Sequence, residues 1–365
     1  MQPKKKYDIA VIFGDGIGPE VCGATVEVLQ AALGEKQALN FVEYPGGAGT
    51  YLEKGTALPE ETYNGCLNSD AILHGAAGLP NAVYADGTEV GMDFGLVLRS
   101  KLDLYANIRY SKLYQGTTSH LRYPEPGDID YVVLRENVEG LYSSRGGGTI
   151  LRDIAATDTL LITREGTERV ARMAFEIARK RNGAPEDGKR RVTVCDKANV
   201  LRSYAFFRKV CKEVAKDYPD VELECTYVDA LSAFMVTRPS HFDVIVSENM
   251  FGDIISDLAA ATVGGLGLSP TAELGDTRGY FQAAHGSAPD IAGQGIANPT
   301  GTILSGVLML EWLSEKYGDQ TLADAAGRIR RAIEELLADG TILTRDLGGN
   351  ATTKEVVDAI CGALK

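Results

Sequence analysis

The sequence predicts an α/β protein of two domains, on three observations. The chain has 365 residues, more than one simple hydrophobic core organises. Short β-branched runs alternate with longer helix-period stretches along its length, which is the pattern of α/β proteins. No repeat or low-complexity linker interrupts that alternation, so the domains are expected to share the chain by crossing out and back.

Ile9-Ala10-Val11-Ile12-Phe13 reads as a buried strand ended by Gly14-Asp15-Gly16. Residues 19–33 read as a helix with Pro19 in its first turn, where a missing N–H costs nothing. Ala71-Ile72-Leu73 is a strand before a glycine-rich loop at 75–80. Strands are expected at 104–109, 131–134, 192–195 and 244–246, and helices at 164–181, 200–217, 253–263, 299–316 and 322–338. Arg145-Gly146-Gly147-Gly148 and the Thr-rich stretch 149–163 read as a hairpin or arm.

Hydrophobic residues make up 44% and charged residues 24%, the balance of an ordinary globular chain. The net charge of −13 argues against nucleic acid and anionic membrane as partners, since both need a basic surface. A site for an acidic small molecule must then gather its own arginines. The apolar run after Lys4-Lys5-Lys6 is broken by Asp8, too short for a secretory signal, and no stretch has the length of a membrane span. Six dispersed cysteines with no CxxC pair read as reduced thiols in a cytoplasmic protein.

The most informative stretch is Asn249-Met250-Phe251-Gly252-Asp253-Ile254-Ile255-Ser256-Asp257-Leu258. Asp253 and Asp257 fall on one face of a helix expected to open after Gly252, where like charges repel by about 0.2–0.5 kcal/mol. A hard divalent cation between them turns that repulsion into attraction. Asp229, after Tyr227-Val228, is a candidate third oxygen ligand. Arg99, Arg109 and Arg135 recur at the ends of expected elements, where α/β folds place ligand crevices, and arginine forks grip carboxylates bidentately. Three of them in an acidic protein point to a polycarboxylate. Lys197 and Tyr142 are candidates for proton transfer. The loop His285-Gly286-Ser287-Ala288-Pro289-Asp290 is small enough for close approach of a nucleotide, with Asp290 able to bind a ribose diol. Gly14-Asp15-Gly16-Ile17-Gly18-Pro19 imitates the dinucleotide fingerprint but has Pro at its sixth position, so a Rossmann fold is not expected. A glycine turn that feeds a helix and contacts a cofactor is.

In order and spacing, the segments 98–109, 135–142, 196–199, 249–258 and 285–290 resemble the metal-dependent β-decarboxylating dehydrogenases, the family of isopropylmalate, isocitrate, homoisocitrate and tartrate/D-malate dehydrogenases. The resemblance spans essentially the whole chain. It implies the isocitrate/isopropylmalate dehydrogenase-like fold: a large cofactor-binding domain from residues 1–104 and 265–365, and a small dimerisation and metal domain from 105–264 with an arm at about 138–165. It implies substrate binding by Arg99, Arg109 and Arg135, catalysis by Tyr142 and Lys197, and Mg2+ or Mn2+ on Asp229, Asp253 and Asp257. It also implies NAD on His285, Gly286, Ser287, Ala288 and Asp290, with Asn298 after them. Lys197 and Asp229 would come from the second subunit of a homodimer.

The implied activity is NAD- and metal-dependent oxidative decarboxylation of a 3-substituted (R)-malate, with 3-isopropylmalate the first expectation, tartrate or D-malate the second, and homoisocitrate or isocitrate after those. A non-catalytic regulatory subunit of the same fold would lack one of Tyr142, Lys197 and the aspartates, and all are present. Two departures stand out. Gln282-Ala283 replaces the family's usual Glu-Pro, and Gly91-Met92-Asp93-Phe94-Gly95-Leu96-Val97-Leu98 matches neither the isocitrate nor the usual isopropylmalate pattern. The segments 135–137 and 142–147 look closer to the tartrate/malate branch.

Overall fold

The computed structural model describes residues 1–365 except positions 37 and 86, and the side chain of Met92 also lies outside the described residues. Numbered in chain order, the strands are β1 (Tyr7–Gly14), β2 (Leu39–Glu43), β3 (Ala71–Ala76), β4 (Ala106–Lys112), β5 (Asp130–Glu136), β6 (Thr149–Leu151), β7 (Ala155–Thr157), β8 (Arg191–Asp196), β9 (Glu222–Tyr227), β10 (Val244–Ser247), β11 (Pro270–Leu274) and β12 (Gly279–Ala283). The chain divides into two compact units. The first comprises Met1–Leu102, Tyr114–Thr118 and Gly264–Lys365, and the second Asp103–Leu113 and Ser119–Val263.

In the first unit the strands lie in the order β2-β1-β3-β12-β11. All neighbours run parallel except the β11/β12 hairpin, so this is not the all-parallel Rossmann order. The helix Gly18–Leu33 opens with Pro19 and buries Val21, Cys22, Thr25, Val28 and Leu29, an i, i+3, i+4 stripe facing the interior. The helix Thr300–Tyr317 is buried over most of its surface, as its apolar run requires. The segment 114–118 belongs to this unit because Gly116 (φ +83°) lies against the Leu337 carbonyl, which an added Cβ would meet at 1.8 Å.

The second unit has the order β4-β5-β10-β8-β9, antiparallel at β4/β5 and parallel elsewhere. Its core packs Tyr131, Val133, Cys195, Leu231, Phe242, Ile245, Ile255 and Ala259. The expected arm contains the antiparallel pair β6/β7, with Ile150, Leu151 and Ile154 exposed. No helix of the described residues is long and apolar enough to cross a membrane.

Two departures from the sequence reading bear on the site. The helix expected at 253–263 opens four residues earlier, as Asn249–Thr262, because the Glu248 carboxylate caps the N–H groups of Met250 and Phe251. Residues 91–98 belong to a helix, Gly91–Lys101, hidden in the sequence by two glycines that depress helix propensity.

Candidate active site

In the second unit, strand geometry sets the two arginines side by side. Residues two apart share a face, so Asn107 and Arg109 point the same way, and the β4/β5 register places Arg135 opposite Asn107. Arg109 lies inside its strand rather than at an end. Two neighbouring guanidinium groups need anions, and the helix Asn249–Thr262 supplies them. Arg109 donates to Asp257 at 2.6 Å and to Asp253 at 3.1 Å. Arg135 donates to Asp253 and, through Nε, to the Asn249 side-chain oxygen at 2.8 Å. The Tyr142 hydroxyl donates to the other Asp253 oxygen at 2.9 Å, and its ring lies 5.2 Å from the Arg135 guanidinium carbon. Burial, and after it the Asp253 charge, raises the Tyr142 pKa. The phenol therefore keeps its proton near neutrality.

The helix presents the aspartates because its other face is apolar: Ile255 and Ala259, one turn apart, are fully buried. Asp253 and Asp257 keep 31% and 57% of their side chains exposed, so both carboxylates remain open to solvent. Loss of water pushes the Asp257 carboxyl above its ordinary value. Arg109 opposes that, and the Asp253 charge adds to it. Two hard oxygen donors one turn apart fit a hard divalent cation.

Gly252 sets how close this helix comes to β5. An added Cβ would stand 2.7 Å from the Arg135 Cβ and 3.1 Å from its Cα, and neither can yield without moving the strand. Gly252→Ala is expected to destabilise the protein by about 1–3 kcal/mol, the usual range for overpacking, and to displace Arg135. Urea unfolding checks the first effect and turnover the second.

Lys197 and Asp229 form a separate pair. Lys197 follows β8, whose last residue, Asp196, is buried and held bidentately by Arg208 at 2.6 and 2.7 Å. Asp229 lies in the first turn of the helix Val228–Thr237. The Lys197 ammonium donates to Asp229 and holds its carboxyl below the usual range. Within one chain Asp229 does not join Asp253 and Asp257: among the described residues, no three His, Cys, Asp or Glu side chains stand together as a metal site.

The remaining predicted residues lie in the first unit. Arg99, in the last turn of Gly91–Lys101, is clasped by buried Glu273 at 2.6 and 2.7 Å. The loop 285–290 rests on the glycine turn: Ile17 N–H donates to the Ser287 carbonyl at 2.8 Å, and a Cβ on Gly16 (φ +58°) would meet that oxygen at 1.9 Å. Ala288 and Ile291 pack on Ile17, Val21 and Ala297. Burial keeps the His285 pKa low. The neutral ring then donates from Nδ1 to the Gly286 carbonyl (3.0 Å) and accepts at Nε2 from the Thr302 hydroxyl (3.2 Å). Gly286 and Asp290 are exposed. Asn298 accepts from Thr300 N–H at 3.0 Å and donates to Asp346 at 2.9 Å, so much of its amide serves the start of the next helix.

Four further residues shape these sites. Asn249 orients Arg135, and Gly252 admits it. Asp15 takes the N–H groups of Ala48, Gly49 and Gly78 at 2.7–2.8 Å and so orders the glycine turn, a role its place between two glycines could have signalled. Glu273 is a lone acid in the apolar run of β11, which is the sign of a buried charge with a partner.

A two-unit α/β chain that sets paired arginines against an Asp-x-x-x-Asp helix, with a small-residue loop on a glycine turn, defines a class of enzyme for small acidic substrates. The model of the isocitrate/isopropylmalate dehydrogenase family matches residues 8–360, and the chain belongs to that family, whose members are decarboxylating dehydrogenases acting on a CH–OH group. It is 45% identical over 360 residues to the 3-isopropylmalate/3-methylmalate dehydrogenase of Methanocaldococcus jannaschii, covering 98% of this chain and 99% of the relative. It is 40% identical to a probable tartrate dehydrogenase/decarboxylase of Bacillus subtilis, over 99% of each. The crystal structure of isocitrate dehydrogenase from Methylococcus capsulatus superposes with a TM-score of 0.85 at 37% identity, covering 98% of this chain and 99% of that one.

Proposed function

We propose that the chain oxidises the C2 hydroxyl of a 3-substituted (R)-malate with NAD and releases the β-carboxylate as carbon dioxide, with 3-isopropylmalate as the substrate. The observation that carries this reading is the gathering of Arg109, Arg135, Tyr142, Asp253 and Asp257 into one half-buried cluster. It is supported by relatives named 3-isopropylmalate dehydrogenase in Archaeoglobus fulgidus and Streptococcus pneumoniae, at 42% and 43% identity.

Magnesium or manganese, held by Asp253, Asp257 and the partner's Asp229, would supply Lewis-acid polarisation of the hydroxyl. NAD, held by His285, Gly286, Ser287, Ala288, Asp290 and Asn298, would take the hydride. The chain's own groups do the rest. Arg99, Arg109 and Arg135 orient the substrate carboxylates, Arg109 and Arg135 turning to them from the aspartates they hold here. The partner's Lys197 accepts the hydroxyl proton. Once carbon dioxide has left, the Tyr142 phenol delivers a proton to C3. The working unit is then a homodimer with two shared sites.

Tartrate or D-malate is the second reading, favoured by the Bacillus subtilis relative and by the segments 135–137 and 142–147. A panel of 3-isopropylmalate, D-malate, tartrate, isocitrate and homoisocitrate with NAD decides: 3-isopropylmalate is expected to give the highest kcat/KM, and isocitrate first would overturn the assignment.

NAD is expected over NADP. A 2′-phosphate would meet the exposed Asp290, and like charges at contact cost about 1 kcal/mol in water, roughly fivefold in kcat/KM. Asp290→Lys is expected to remove the preference. Equal efficiencies with the two cofactors in the wild type would refute it. Because Ile291 packs on Ile17 and Val21, the single substitution is a cleaner test than one that also alters Ile291.

A further inference from the structure

We propose that Glu273 is a positioning residue for Arg99, and that Gln282 is the neutral neighbour its charge requires. The inference rests on the reading of Arg99 as a substrate-binding arginine. Glu273 is fully buried, and the Arg99 side chain is 10% exposed. Arg99 approaches it side-on, Nε to one carboxylate oxygen at 2.6 Å and Nη2 to the other at 2.7 Å. A guanidinium can meet carboxylates along its side or its end. The bidentate clasp fixes the plane and direction of the guanidinium, and so the orientation at which Arg99 would meet a substrate carboxylate.

The same carboxylate takes a third hydrogen bond. In the β11/β12 hairpin Glu273 pairs with Tyr280 and Thr271 with Gln282, so Gln282 is a diagonal neighbour of Glu273. Its Nε2 donates to the Glu273 oxygen that also serves Arg99 Nη2, at 2.8 Å. The Gln282 oxygen faces the other way. It stands 2.9 Å from His74 Nδ1 and accepts from the Tyr280 hydroxyl at 3.1 Å, and that hydroxyl is 2.6 Å from His74 Nδ1. Burial lowers the His74 pKa to about 4, so the imidazole is neutral. Among the described residues, these hydrogen bonds join the Glu273 carboxylate and the Arg99 guanidinium through a neutral amide at 282, which donates to the carboxylate and accepts from the Tyr280 hydroxyl. An ionised carboxylate at 282 would have no proton to offer Glu273 and would place a second negative charge beside it, so that one of the two carboxyls is forced to hold its proton. This gives a physical reason for Gln at 282, where the family pattern carries Glu: the neighbouring acid, Glu273, already stands on β11.

The test combines a stability cycle with ligand binding. E273Q, Q282E and the double variant E273Q/Q282E are made in the full-length chain and melted with and without D-malate as the dicarboxylate probe. Q282E alone is expected to lower the melting temperature, and E273Q/Q282E to recover part of that loss, since neighbours in one network are not additive. Additive shifts would overturn the pairing. In E273Q, D-malate is expected to bind about tenfold more weakly, equivalent to about 1.4 kcal/mol, seen as a smaller ligand-induced rise in melting temperature. On the preferred malate KM is expected to rise by a similar factor with kcat within about twofold, the sign of lost uniform binding. An E273Q protein that binds D-malate as the wild type does, or that loses kcat at unchanged KM, would overturn the positioning role. A wild type that turns over no malate would refute the functional reading alone, because the melting arm still decides the Glu273–Gln282 pairing.

Discussion

Asp253→Asn is expected to abolish turnover while leaving a folded protein. Asp253 receives Arg135, Arg109 at 3.1 Å and Tyr142 at 2.9 Å, and it supplies half of the carboxylate pair that fits a divalent cation. Asparagine keeps one oxygen to accept from the arginines but removes the charge. The loss should reach several kcal/mol of charge stabilisation in the reaction, roughly a thousandfold or more in kcat/KM. Magnesium or manganese affinity, measured by calorimetry, should fall with it. The helix should persist, because its hold on the core comes from Ile255 and Ala259 and Asp257 still faces Arg109 at 2.6 Å. Undiminished activity of this variant at limiting metal would exclude Asp253 as a ligand.

The second large effect concerns association. Lys197→Ala and Arg109→Ala are each expected to be inactive alone and to recover activity when mixed. In one chain Lys197 pairs with Asp229, while Arg109 holds Asp253 and Asp257. If each site takes its lysine from the neighbouring subunit, the hybrid dimer has one intact site and one doubly damaged one. Random exchange in a two-fold dimer then returns about a quarter of wild-type activity. Exchange verified by native mass with no recovery would contradict shared sites.

Much of this was legible in the sequence, for identifiable reasons. Strands β1, β5, β8 and β10 are short apolar runs closed by glycine or charge, and each formed about where that pattern puts it. The Asp253/Asp257 face follows from helix periodicity alone. What stayed hidden depended on partners distant in sequence. The early start of the helix Asn249–Thr262 needs the Glu248 cap. Arg135 and Arg109 converge only through the β4/β5 register. Glu273 and Gln282 make sense only across a hairpin, with Arg99 clasped from a helix 174 residues away in the chain. Asn298 reads as a ligand contact in sequence, and its ties to Thr300 and Asp346 show only once the loop is folded.

The most direct test of the account measures NADH and carbon dioxide together from the wild-type protein with (R)-3-isopropylmalate, NAD and magnesium or manganese. The account predicts the two products in equal amounts and no turnover once a chelator removes the metal. NADH without carbon dioxide, or turnover undiminished by the chelator, would contradict it.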